Sequence, residues 1–102
     1  MNRHRLVLSR VNLAVINTDY ELTIPEGASC VRVALNDATV AWRYDTSAVA
    51  AAGSGMLVAA GQPAVFGDAG TEIKATQLHV GVSAGAGVGL FAVLSCLVPL
   101  TR

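Results

Sequence analysis

The chain has 102 residues, 53% of them hydrophobic and 14% charged, with seven basic and seven acidic side chains and a formal net charge of zero. This length fits one domain whose core can fold without disulfides, and the balanced charge excludes a field strong enough to gather nucleic acid or anionic lipid. Charge this sparse cannot solvate a whole monomer surface, which favours a subunit that hides part of itself against neighbours, including copies of itself.

The first ten residues carry Arg3, His4, Arg5 and Arg10, while the acids are scattered from Asp19 to Glu72. This basic start reads as an arm over about residues 1–10 that contacts an acidic partner surface, or as a solvated terminus. Strand candidates follow at residues 5–8, 13–16, 20–24, 30–35, 39–44, 56–59, 64–66, 72–82 with a break, and 88–98. Each shows apolar residues at a spacing of two, as in Val31, Val33 and Leu35, or Val40, Trp42 and Tyr44. The breaks carry turn chemistry: Asn17-Thr18-Asp19, Pro25-Glu26-Gly27, Asn36-Asp37, Gly61-Gln62-Pro63 and Gly67-Asp68-Ala69-Gly70. Residues 46–55, rich in alanine, fit either one helical turn or a surface loop.

Many short strands between turns predict an all-β domain, a single antiparallel β-sandwich or jelly roll of about eight strands over residues 1–102. An apolar tail closes it at about residues 97–102. Residues 75–101 contain no Asp, Glu, Lys or Arg. A C-terminal membrane anchor and a buried central strand both produce such a run. The glycines at 85, 87 and 89, Pro99 and the period-two pattern of Leu78, Val80 and Val82 favour the strand, so no membrane partner is expected. In the last segment Val88, Leu90, Ala92, Leu94 and Cys96 share one face and Phe91 and Val93 the other. With both faces apolar, this strand is the leading candidate for one that serves core and assembly together.

Motifs for chemistry fall away on inspection. Gly85-Ala86-Gly87-Val88-Gly89 has Leu90 where a dinucleotide fingerprint needs its last glycine, and too little chain follows for the helix and second strand, so it reads as a hairpin turn. His4 and His79 are the only histidines, and no His or Cys pair has metal-ligand spacing. His79 alternates with Leu78 and Val80 and reads as a solvent-facing or hydrogen-bonded side chain. Cys30 and Cys96 read as buried free thiols, in keeping with the lack of a secretory signal, with a disulfide between their two strands as the alternative. No catalytic residue, cofactor or metal is expected, and an enzyme is the least supported class. Trp42, Arg43 and Tyr44 form the one aromatic cluster. Trp42 and Tyr44 would suit stacking on a sugar ring if exposed, although alternation places Trp42 with Val40 in the core. Arg43 faces the other way, toward a subunit contact.

The segments Leu22-Thr23-Ile24-Pro25-Glu26-Gly27-Ala28, Val31-Arg32-Val33-Ala34-Leu35, Val40-Ala41-Trp42-Arg43-Tyr44, Leu57-Val58-Ala59-Ala60-Gly61-Gln62, Leu78-His79-Val80-Gly81-Val82 and Gly87-Val88-Gly89-Leu90 follow one another in a set order and spacing. In that order and spacing the chain resembles the small β-sandwich proteins of tailed-phage particles. The resemblance covers most of residues 20–96. It implies a virion structural protein without catalytic residues, a head decoration or cement protein bound to the major capsid protein or other virion proteins. The alternatives are a neck or tail accessory and a glycan-binding attachment module. The expected contact residues are Arg3, Arg5, Arg10, Arg43, Leu97 and Leu100.

Overall fold

Alternation becomes strand here wherever turn chemistry frames it. The computed structural model describes residues 4–46, 55–67 and 73–99. Within them lie β1 (His4–Asn12), β2 (Tyr20–Thr23), β3 (Val31–Leu35), β4 (Trp42–Asp45), β5 (Met56–Val58), β6 (Ala64–Phe66), β7 (Gln77–Gly81) and β8 (Phe91–Pro99). They form two antiparallel four-stranded sheets, ordered β1-β8-β3-β6 and β2-β7-β4-β5.

The pairing follows a simple rule. β4 pairs with β5, β3 with β6, β2 with β7 and β1 with β8, so the chain is one long hairpin whose successive rungs fall alternately in the two sheets. Pairings of β3 with β8 and β4 with β7 complete each sheet. A long hairpin rolled up in this way is a jelly roll, so the β-sandwich expected from the sequence has jelly-roll connectivity.

Between the sheets, Val31, Val33, Ala92, Leu94 and Cys96 of the first meet Leu22, Trp42, Leu78 and Val80 of the second, all buried. Each fully buried Val or Leu contributes roughly 1.5–3 kcal/mol over its exposed state. β8 shows the logic most plainly. Ala92, Leu94, Cys96 and Val98 are buried while Phe91, Val93, Ser95 and Leu97 are half-buried on the opposite face.

Several boundaries differ from the sequence reading, each for a local reason. Residues 5–8 and 13–16 are not two strands; the first runs on unbroken to Asn12, because Val7, Ser9 and Val11 turn inward as one alternating set while Arg10 and Asn12 take the exposed positions that an edge strand accepts. The stretch expected as a free arm is thus part of the sheet from His4 onward. The expected tail likewise belongs to β8 through Pro99, and Leu100 lies outside the described residues. β4 starts only at Trp42, because Asp37 Oδ1 accepts hydrogen bonds from the Thr39 amide (2.9 Å) and hydroxyl (2.6 Å) and holds the preceding residues in a turn. Those two bonds, the hydroxyl's first, lower the Asp37 carboxyl below its ordinary value. The glycine-rich segment before β8 is a turn, with Gly85 at φ +81° and Gly89 at +96°. It is not a hairpin, since it carries the chain from one sheet to the other. Among the described residues no helix is long and apolar enough to cross a membrane.

Candidate functional site

The outer face of the β1-β8-β3-β6 sheet follows directly from the register. Leu6 lies opposite Leu97, Leu8 opposite Ser95, Ser95 opposite Arg32, and Arg32 opposite Val65, so one row crosses all four strands. The next row holds Arg10, Val93 and Ala34. Residues directly opposite in an antiparallel pair point the same way, and the inward set is already committed to the core. Leu6 is 63% exposed, Leu8 62% and Val65 58%. This face is therefore an apolar surface with arginines set into it. The Arg10 guanidinium lies 4.5 Å from the centre of the Phe91 ring, a cation–π contact that spreads the side chain over the sheet.

The expected contact residues divide. Arg5 and Arg10 are exposed on β1, and Leu97 is half-buried on the outer face beside Leu6. Arg3 and Leu100 lie outside the described residues. Arg43 does not reach a subunit contact: it is only 4% exposed and donates from Nη1 to the Ser83 hydroxyl. Gly81 stands opposite it on β7 and adds no side chain, which leaves room for the guanidinium to fold down over the sheet.

Burial takes Trp42 out of the sugar-stacking reading. Trp42 is 1% exposed, and its indole nitrogen donates to the Gln62 carbonyl at 3.3 Å. Tyr44 is half-buried, with its ring centre 5.8 Å from that of Trp42 and 5.2 Å from that of Phe66, the latter edge to face. The Tyr44 ring thus packs between the other two, and Trp42 is left no face for a ligand.

On the outer face of the other sheet, His79 is hydrogen-bonded. Its Nδ1 lies 3.0 and 2.9 Å from the two oxygens of Asp19 and 3.9 Å from Glu21. Glu21 and His79 are opposite each other in the β2–β7 register, and Asp45 faces His79 from β4. Asp19, Glu21 and His79 bring potential ligand atoms within 4.8 Å of one another, the one such group among the described residues. The imidazole, with its side chain 12% exposed, holds the approach to β2 against β7, which is a structural use of the pair. Sequence reasoning missed this group because Asp19 and His79 are sixty residues apart; only the β2–β7 register joins them.

Cys30 and Cys96 are both free thiols. Cys96 faces the core, where burial raises its thiol above the ordinary value, while Cys30 is half-buried rather than buried. A thiol-reactive disulfide reagent is therefore expected to modify Cys30 in the native protein and Cys96 only on unfolding, read as one fast and one slow equivalent. Two fast equivalents would place Cys96 outside the core.

Comparison with protein-family models, with curated proteins and with solved structures gave no match. The reading of function therefore rests on the faces of this molecule and on the resemblance of its segments in sequence.

Proposed function

We propose that the chain is a structural subunit that works by contact, a tailed-phage virion protein of the head-decoration or cement kind. The observation that carries the reading is the apolar outer face of the β1-β8-β3-β6 sheet, with Leu6, Leu8, Val93, Leu97 and Val65 turned away from the core. A solvated monomer has little use for a four-strand apolar face, whereas a subunit seated on a shell covers it. Arg10 and Arg32 suit a neighbour whose apolar surface carries carboxylates. The jelly roll supports the reading by analogy only, since the fold also serves lectins and enzymes.

The mechanism would be adhesive. A face of standard size, roughly 1,600 Å² in total, adds free energy at every seam it bridges, and repetition over a shell makes the sum large. The test is quantitative mass spectrometry of purified particles from the phage that encodes the chain. A copy number in simple proportion to the major capsid protein is expected. A handful of copies would move the protein to the neck or tail, and absence would end the virion reading. Val65→Glu, which places a carboxylate on the face, is expected to lower occupancy at least about tenfold while the fold is kept.

A further inference from the structure

Strand β1 is an edge, and its backbone shows what it is built to meet. Its register with β8 runs through nine consecutive pairs, His4 with Pro99 to Asn12 with Phe91, without a bulge. One residue further on, the Leu13 amide donates to the Leu90 carbonyl at 2.8 Å. Hydrogen-bonded pairs alternate along an antiparallel ladder, so Val11, Ser9, Val7 and Arg5 also bond to β8. The opposite side of β8 agrees: the Leu97 amide donates to the Cys30 carbonyl and the Asn36 amide to the Phe91 carbonyl, which commits the odd-numbered residues of β8 to the β3 side. The backbone groups of His4, Leu6, Leu8, Arg10 and Asn12 therefore point away from the sheet.

Soluble proteins blunt such an edge with proline, a bulge, a short strand or charged side chains; β1 carries Arg5 and Arg10, which leave residues 6–9 at its centre uncharged. β1 has no proline or bulge and is, with β8, the longest strand described. Its even-numbered side chains, Leu6, Leu8 and Arg10, are exposed.

From this geometry we infer that β1 pairs antiparallel with β1 of a second copy, about a two-fold axis at Leu8, to give one continuous eight-stranded sheet. In this register Leu8 bonds to its own copy, Leu6 to Arg10, and His4 to Asn12. Every outward backbone group of the strand is used. A shift by two residues in either direction carries an end residue of each β1 beyond the other copy's β1, and one of the shifts sets Arg10 against His4. The centred register sets no arginine against another: Arg10 faces Leu6 and Arg5 faces Val11, which removes the like-charge cost that would oppose pairing. A net charge of zero adds no long-range repulsion between copies. The pairing also joins both copies' Leu6 and Leu8 into one patch on the outer face. It does not depend on whether the protein serves in a virion.

The test is the mass of the purified protein by sedimentation equilibrium, with two variants. The wild type is expected at twice the chain mass. Leu8→Pro removes a donor that the sheet itself does not use, so it is expected to keep native far-ultraviolet dichroism and sediment as a single chain. Where proline disturbs the strand, Leu8→Lys gives the same reading, because it sets two lysines opposite each other on the axis. The dimer's dissociation constant is expected to rise at least about tenfold. A wild type with the mass of one chain at ~1 mM overturns the inference. So does a larger or open-ended assembly, or a dimer that persists in folded Leu8→Pro or Leu8→Lys.

Discussion

Replacing Trp42 with alanine is expected to cost about 3–5 kcal/mol of folding free energy. The indole is 1% exposed, packs on Tyr44 and donates a hydrogen bond to Gln62. Its removal leaves a cavity between the sheets and a carbonyl without that donor. A domain of this size holds ~5–15 kcal/mol in total, so the loss takes a large share of its stability. Urea denaturation followed by far-ultraviolet dichroism is expected to show a midpoint well below that of the wild type with an unchanged slope. The wild-type emission should be blue-shifted, protected from iodide and indifferent to added sugars. A red-shifted, quenchable emission, or a variant with the wild-type midpoint, would return Trp42 to the surface and reopen glycan stacking.

What the sequence made legible was the inward side of each strand. Alternation put Val31 with Val33, Leu78 with Val80, and Ala92 with Leu94 and Cys96, and those residues are buried. Period two is a local signal, since a side chain's face is fixed by its neighbours in sequence. Partner choice is not local. Nothing near Asp19 points to His79, and nothing near Arg43 tells that Gly81 lies opposite and leaves the guanidinium space to fold down. The first ten residues illustrate the same limit. Their basic character was visible and suggested an arm, but the alternation of Val7, Ser9 and Val11 that docks on β8 has force only once β8 is beside it. Composition gave a signal as well: the scarcity of charge corresponds to an outer sheet face built from Leu, Val and Ala.

The second large effect lies on β8, the strand whose two faces do different work. Leu94→Ala is expected to cost about 2–5 kcal/mol, because Leu94 is fully buried at the centre of the strand, with β1 and β3 on either side to resist collapse into the cavity. Leu97→Ser, three residues along on the outer face, is expected to cost only about 1 kcal/mol, since that side chain is half-buried and its loss opens no cavity. In assembly the order reverses. Leu97→Ser removes an apolar contact beside Leu6 and should lower occupancy on particles. Leu94→Ala should bind normally at temperatures where it stays folded. Urea midpoints and particle occupancy measured on the same two proteins separate the roles of the faces. If both variants lose stability alike, the outer face is an extension of the core. If neither alters occupancy, a face other than this one makes the contact.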